Sequence, residues 1–341
     1  MVFRRFFAIC FIQFLCQVFA FPEITRHNSP SLKGKLTALR RSDNEPHAYS
    51  REIYCPVDMI GIQGEYYYTS QGTEDKICNV YLLAEPDEVV EIEFKDANFQ
   101  CDETNQLLWF DGWSMGIGSF PSMNDHPLNM TERSQMICPE GDTPLTFRAH
   151  QNAAMMSFIL PSRGAGFTII LKPRKTSEPC NVMAPNPSGM HTITNYGGSR
   201  NCSLSVIYPT RIRVVEMMVG QNEAEATLRC KNVEDYVEFL AGNGLDVLDM
   251  RQDAVLCGSA GLINPASRIS SRSGAVPTVV PASLQSASLS DLRTCTHGMN
   301  INLNCQNSVV RLVSGGEQNN FITVEFMKSY SSKNDCEFPD Y

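Results

Sequence analysis

The chain has 341 residues, of which 28 are basic and 37 acidic, so its formal net charge is −9. This acidic balance argues against a nucleic acid partner, because binding along a phosphate backbone needs a basic surface. With 43% hydrophobic residues the chain can bury substantial cores, and its length favours two domains over one.

The first 20 residues have the features of a secretory signal peptide; a signal anchor is the alternative. Arg4 and Arg5 precede a mostly apolar run that ends in Val18-Phe19-Ala20, the kind of site that a signal peptidase reads. The run is short for a bilayer span, and no later apolar run is long enough for one. We therefore expect a secreted, extracellular protein with no membrane partner.

The cysteines predict a disulfide framework. Cys10 and Cys16 would leave with the signal peptide, and eleven would remain: Cys55, Cys78, Cys101, Cys138, Cys180, Cys202, Cys230, Cys257, Cys295, Cys305 and Cys336. In an oxidising compartment such cysteines form disulfides, and joining neighbours is the simplest connectivity, although the sequence alone does not determine it. The odd number leaves one thiol free or paired between chains. A zinc site is not expected, because the CxxC pairs and clustered histidines typical of one are absent from the sequence.

In chain order, a mobile N-terminal arm over residues 21–50 is followed by short β-type runs. Gly, Pro, Asn and Asp separate these runs, and long helical periodicity is absent. The pattern predicts an all-β fold of β-sandwiches. The predicted strands cover residues 65–69, 79–83, 89–94, 107–110, 153–160 and 167–171, then 191–194, 204–208, 212–219, 236–240, 309–313 and 321–326.

A weak internal repeat predicts two similar domains. Cys101 and Cys230 each precede a strand motif that ends in a glycine, 11 and 12 residues later. We place the domains at residues 51–175 and 176–330, with a C-terminal tail over 331–341. Residues 264–293 interrupt the second domain with eight serines and no aromatic residue, so we expect a disordered surface insertion there.

One motif in the first domain resembles the nucleophile elbow of a hydrolase. Residues 112–116 read GWSMG, and the serine of such a motif needs a helix after it. Gly118 and Pro121 prevent a helix here, and no histidine is evident as a general base. A β-turn leaving a strand is the better interpretation, so we expect neither catalytic residues nor an enzyme.

Several residues are typical of a secreted surface. Asn129 and Asn201 begin glycosylation sequons. Residues 66–68 are three consecutive tyrosines on a predicted strand; they must point to both faces, so at least one ring is exposed and available to a binding surface. Trp109 is expected in the core.

The cysteine and strand motifs resemble the CUB domain, an antiparallel β-sandwich of secreted proteins. The chain is more closely similar to the corticotropin-releasing factor-binding protein family, and we expect an invertebrate member. The resemblance covers about residues 48–330 outside the insertion. Its motifs are CPVDMIGIQG at 55–64, FDGWSMGIGSFPSMNDHP at 110–127, PCN at 179–181, RNCSLSVIYP at 200–209 and DYVEFLAGNG at 235–244.

The resemblance implies a secreted glycoprotein of two tandem, disulfide-bonded CUB-like domains. Such a protein would sequester peptide hormones of the corticotropin-releasing factor, urocortin or diuretic-hormone type and limit receptor activation. The alternative is a CUB-type adhesion or protease-accessory module, and the absence of an attached protease, lectin or EGF-like segment counts against it.

The resemblance also implies site residues. Arg51 and Asp58, on either side of Cys55, match ligand-binding positions of the family and are expected at the surface, although one extra residue separates Cys55 from Asp58. The implied disulfides are Cys55–Cys78, Cys101–Cys138, Cys180–Cys202, Cys230–Cys257 and Cys305–Cys336, which leave Cys295 as the odd thiol.

Some CUB domains bind calcium through acidic residues on two strands and a late loop. Asp102 and Asp235 could remain from such a site, but the late loops at residues 161–164 and 314–317 lack the expected aspartate. We therefore predict no metal and no cofactor.

Overall fold

β-Strands make up nearly all the regular structure of the computed structural model, which describes residues 49–72, 76–116, 118–138, 145–220, 230, 234–260 and 299–330. The predicted signal peptide, the serine-rich insertion, the C-terminal tail and the arm up to residue 48 lie outside the described residues. The chain consists of two compact units, with the main boundary between Asn186 and Pro187.

The chain up to residue 175 forms two five-stranded sheets. The first has the order β1 (Ser50–Glu52), β3 (Gly64–Thr69), β13 (Gly166–Leu171), β6 (Glu91–Asn98) and β11 (Thr146–Arg148). The second has the order β10 (Ser134–Met136), β7 (Gln106–Phe110), β12 (Ala153–Ile159), β4 (Cys78–Leu83) and β2 (Val57–Ile60). Two short antiparallel pairs complete this part, β5 (Glu88–Val89) with β14 (Arg174–Lys175) and β8 (Trp113–Met115) with β9 (Gly118–Phe120). It also contains a helical turn, α1 (Met130–Arg133).

Side chains from both sheets share one core, which makes the domain a sandwich. Tyr66 and Tyr68 of β3 belong to the same buried cluster as Trp109 of β7 and Phe158 of β12. The rings of Tyr68 and Phe158 lie 4.6 Å apart between centroids. Between the two buried tyrosines, Tyr67 is 40% exposed, as the alternation of strand side chains predicts. The predicted exposed ring and the predicted core position of Trp109 are confirmed.

Two edge strands depart from the antiparallel pattern that the resemblance to the CUB domain implies. β1 pairs parallel to β3, with Arg51 opposite Tyr66, and β2 pairs parallel to β4, with Asp58 opposite Val80. Residues 53–56 carry the chain from the edge of one sheet to the edge of the other. β1 has three residues, too few to show a period of two, and β2 has four residues, VDMI, that do not alternate regularly.

The chain after residue 175 forms two further sheets. One has the order β15 (Asn181–Met183), β17 (Cys202–Val206), β23 (Asn307–Val313), β19 (Tyr236–Gly242) and β20 (Arg251–Leu256). The other has the order β16 (Ser188–Thr194), β24 (Phe321–Lys328), β18 (Thr210–Val219) and β21 (Gly258–Ala260), and β22 (Asn300–Leu303) also pairs with β18. A short 3-10 helix, η1, covers Val247–Asp249. The prediction of an all-β, disulfide-bonded fold is confirmed.

Disulfides join Cys55 to Cys78, Cys101 to Cys138 and Cys230 to Cys257, which are pairs that the family resemblance implies. Cys180, Cys202 and Cys305 are also disulfide-bonded. Cys295 and Cys336 lie outside the described residues, so the remaining pairs and the free thiol stay predictions. Among the described residues, no helix has the length and apolar character that crossing a membrane requires.

Candidate functional site

Arg51 and Asp58 form an ion pair that joins the edges of two sheets. Arg51 lies on β1 in the first sheet, and Asp58 lies on β2 in the second. The Nη1 atom of Arg51 is 2.9 Å from Oδ2 of Asp58. The disulfide between Cys55 and Cys78 ties the connecting segment to the first residue of β4, so the two charged residues are held on a short, cross-linked crossover.

The expectation that Asp58 lies at the surface is wrong. Its relative exposure is 1%, whereas the Arg51 side chain is 26% exposed. The buried carboxylate also accepts hydrogen bonds from the backbone N–H groups of Tyr54 at 3.0 Å and Met59 at 2.8 Å. A buried charge is tolerated only when it is paired and hydrogen-bonded, and these three groups satisfy it.

Two tyrosine rings flank the guanidinium of Arg51. Its Cζ atom lies 5.5 Å from the ring centroid of Tyr54 and 5.6 Å from that of Tyr66, within cation–π distance. Burial alone would lower the pKa of Arg51, but the hydrogen bond and the charge of Asp58 outweigh it and raise that pKa above its ordinary value. Arg51 is therefore a permanent positive charge with a fixed orientation.

Tyr49 completes this group of residues. Its ring packs on that of Tyr66 at 5.7 Å between centroids, and its carbonyl accepts a hydrogen bond from the N–H of Glu65 at 2.7 Å. The close approach requires glycine at position 64, because a Cβ atom there would lie 2.6 Å from the Tyr49 oxygen. Tyr66 in turn donates its hydroxyl to the Ile62 carbonyl at 2.6 Å, so the buried ring is also fixed.

We call Tyr49, Arg51, Tyr54, Asp58 and Tyr66 the Arg51 cluster. Its exposed parts are Tyr54, which is 60% exposed, Tyr49, which is 39% exposed, and the 26% exposed side chain of Arg51. Tyrosine and arginine are the residue types that dominate binding energy at protein interfaces. The arrangement can accept a carboxylate on the guanidinium and an apolar side chain on either ring.

Comparison with known proteins identifies the family. The family model for the corticotropin-releasing factor binding protein N-terminal domain matches residues 47–175, and the model for its C-terminal domain matches residues 182–282. The chain belongs to the corticotropin-releasing factor-binding protein family. This is a family of hormone-binding proteins and not of enzymes.

Three vertebrate relatives show how far the similarity to this family extends. The corticotropin-releasing factor-binding protein of Ovis aries is 31% identical over 301 residues, which are 87% of this chain and 81% of the relative. The Homo sapiens protein is 30% identical over 292 residues, and the Xenopus laevis protein is 32% identical over 294; both alignments cover 84% of this chain and 79% of the relative. The similarity therefore extends over both domains.

Among solved structures, the alignment with the CUB1-EGF-CUB2 domains of rat MASP-1 covers 82% of this chain and 100% of the MASP-1 chain, with 9% identity and a TM-score of 0.25. A TM-score this low does not support a conclusion about fold or function.

The hydrolase-like motif is part of a hairpin, as the sequence predicted. Ser114 lies within strand β8 and is 6% exposed, and the chain turns at Gly116 instead of entering a helix. The neighbouring Trp113 is buried and donates its indole N–H to the Leu82 carbonyl at 3.0 Å. Ser114 and Trp113 therefore have a structural role in this domain.

The two aspartates considered for calcium accept hydrogen bonds from the protein itself. Asp102 accepts from the N–H and hydroxyl of Thr104 and from Asn105, and these hydrogen bonds lower the pKa of Asp102 to about 2. Asp235 accepts from the Ser314 hydroxyl at 2.7 Å and from the Gly315 N–H at 3.0 Å. Asp102 therefore stabilises its own turn, whereas Asp235 links the residue before β19 to the loop after β23.

The first sequon lies at the start of a helical turn. Asn129 is exposed, and its Oδ1 accepts hydrogen bonds from the N–H groups of Thr131 and Glu132, both at 3.0 Å. The cap uses only the amide oxygen, so it does not employ the nitrogen that a glycan would modify. Asn201 is half-buried beside the disulfide-bonded Cys202. Use of either sequon stays a prediction.

Proposed function

We propose that this chain is a secreted protein that binds peptide hormones of the corticotropin-releasing factor or diuretic-hormone type and keeps them from their receptors. The observation that carries the proposal is identity of 30–32% to corticotropin-releasing factor-binding proteins, aligned over 79–81% of those proteins. The disulfides support an extracellular location, because such bonds persist in oxidising compartments.

The Arg51 cluster is the proposed contact for the hormone. Amphipathic peptide helices bind through apolar anchors, and charges on their polar face set register. The exposed rings of Tyr49 and Tyr54 supply an apolar surface, and the guanidinium of Arg51, beside Tyr54, supplies a donor for a carboxylate. Asp58 is a positioning residue, because it is buried and acts on a ligand only through Arg51.

Calorimetric titration of the purified secreted protein with a corticotropin-releasing factor peptide and with a diuretic-hormone peptide tests the binding. A helical peptide of equal length and charge but scrambled sequence is the control. We expect saturable binding of at least one hormone and none of the control. Lack of binding to either hormone at micromolar protein would overturn the proposal and favour the adhesion or protease-accessory alternative.

Sequestration needs a separate measurement. In a receptor-activation assay, added protein should shift the hormone dose–response curve to higher concentration by the amount of hormone that its measured affinity removes from solution. Binding without that shift would show that the complex still activates the receptor, and it would contradict sequestration while leaving hormone binding established.

A further inference from the structure

Three chain segments far apart in sequence place metal-ligating side chains together in the first domain. Asp111 follows β7, His126 lies between β9 and α1, and His150 lies between β11 and β12. One ligand atom from each residue lies within 4.8 Å of the other two. Nδ1 of His150 is 2.6 Å from Oδ2 of Asp111, and Nε2 of His126 is 3.3 Å from the same oxygen.

His126 points a buried nitrogen at this group without forming a hydrogen bond. Its side chain is fully buried, and Nε2 has no hydrogen-bond partner within the described part of the chain. The approach to Asp111 is close enough for a charge interaction, but its angle is not that of a hydrogen bond. A buried ring nitrogen left in this way costs free energy unless another group occupies the position that it faces.

The second nitrogen of His126 has the partner that a metal-bound histidine needs. Nδ1 accepts a hydrogen bond from the Leu128 N–H at 3.0 Å in the tautomer that leaves it unprotonated, and it lies 3.3 Å from the Leu128 carbonyl. Binding of a metal by Nε2 selects the other tautomer, in which Nδ1 carries the proton and donates to that carbonyl while the lone pair of Nε2 faces Asp111. Donation from the remote nitrogen to a carbonyl is how proteins orient histidine ligands.

Hydrogen bonds also fix the orientation of the Asp111 carboxylate. Oδ1 of Asp111 accepts from the His150 N–H at 3.0 Å and from the Gln151 amide at 2.6 Å, so Oδ2 is the oxygen directed at the two imidazoles.

We propose that Asp111, His126 and His150 bind one Zn²⁺ ion. Imidazole and carboxylate donors suit zinc, whereas calcium and magnesium select oxygen ligands. Tetrahedral zinc with bonds of about 2.0–2.1 Å separates its ligand atoms by about 3.3 Å, which matches the 3.3 Å between Nε2 of His126 and Oδ2 of Asp111. The 2.6 Å between Nδ1 of His150 and the same oxygen would have to lengthen when the ion binds. The His150 side chain is 47% exposed, which gives the ion an entry from solvent. The bound ion would link three loops of the domain, independently of hormone binding.

The test uses the purified full-length protein after treatment with a chelator. Titration with ZnCl₂ should show one ion per chain and should raise the midpoint of thermal unfolding. His150→Gln should weaken zinc binding by more than about 10–100-fold, the effect of removing an outer-sphere partner alone. His150 is partly exposed, so this variant should fold, and the far-ultraviolet circular dichroism of the purified variant checks that it does.

His191→Gln is the matched control, because His191 lies on β16, outside the proposed site. It should bind zinc like the unchanged protein and show the same rise in unfolding midpoint. Equal zinc affinity of His150→Gln and the control would overturn the proposal, because zinc would then bind elsewhere. The absence of saturable zinc binding to the unchanged protein would also overturn it and would leave the three residues as a hydrogen-bonded cluster.

Discussion

The guanidinium of Arg51, on the edge strand of one sheet, is 2.9 Å from the buried carboxylate of Asp58, on the edge strand of the facing sheet. The two residues therefore play different parts. Arg51 is partly exposed and available to a ligand, whereas Asp58 determines where the guanidinium lies. A change at either position is expected to reach the hormone through the same group.

Substitution of the pair should therefore be strongly non-additive. Arg51→Gln and Asp58→Ala should each weaken hormone binding by about 1–3 kcal/mol, because each removes or misplaces a charge-assisted hydrogen bond. The double variant should cost little more than either single variant, since residues acting through one contact are coupled. Calorimetric titrations of all three variants measure this, with Lys172→Gln as a control. Additive losses would show that Asp58 has its own contact with the hormone.

The exposed tyrosine beside Arg51 should contribute to binding. Tyr54→Ala should weaken hormone binding by at least about 1 kcal/mol, because it removes both an aromatic anchor and a ring that orients Arg51. Tyr67→Ala is the matched control, since Tyr67 is 40% exposed but lies on the opposite face of β3 from Tyr66. If both variants bind hormone like the unchanged protein, the rings of the Arg51 cluster are not part of the site.

A buried arginine should be essential for the stability of the first domain. Arg133 is 0% exposed and donates to the carbonyls of Asp111 at 2.9 Å, Pro121 at 2.9 Å and Phe120 at 3.3 Å. Arg133→Leu should lower the free energy of unfolding by about 3 kcal/mol or more, because three carbonyls lose their donor. Arg133→Lys should recover little of this loss, since an ammonium cannot reproduce the planar fork. Denaturant unfolding of the two variants checks both statements, and full stability of the lysine variant would contradict the second.

The first sequon allows its glycan and its helix cap to be separated. Asn129→Asp should abolish the glycan but keep the cap, because aspartate accepts the same N–H hydrogen bonds. Asn129→Ala should abolish both and should also lower the free energy of unfolding by about 1 kcal/mol. Electrophoretic mobility before and after glycosidase treatment reports the glycan, and chemical denaturation of the deglycosylated protein reports the cap. An unchanged mobility in both variants would show that the site is not modified.

Deletion of residues 266–292 should leave folding and hormone binding intact. The flanking strands β21 and β22 both pair with β18, where Ala260 lies opposite Met217 and Asn300 lies opposite Arg213. Those positions on β18 are about 13 Å apart, and the roughly 12 residues that remain between the strands can easily span that distance. Surface-loop length has a small effect on the free energy of closure. Loss of hormone binding in a folded deletion variant would assign the insertion to the site.

The sequence by itself determined the strand content of this protein, its disulfide-bonded nature and two candidate site residues. Period-two runs predicted the strands, cysteine content predicted a disulfide-bonded secreted chain, and the family motifs singled out Arg51 and Asp58. These properties depend on a few neighbouring residues, so they can be read without knowing what the chain packs against. For the same reason the three-residue edge strand β1 escaped detection, since so short a run has no recognisable period.

Only the tertiary structure decided which distant groups meet. Asp58 is buried where its strand meets Arg51 of the facing sheet. Its neighbours Val57 and Met59 show no clear alternation from which the burial of Asp58 could be predicted. Asp111, His126 and His150 come from three loops with no common motif, so their association follows from the folding of both sheets and not from their spacing. Burial and proximity are properties of the assembled sandwich, and for this reason the sequence placed the Arg51 cluster only in part and the proposed zinc ligands not at all.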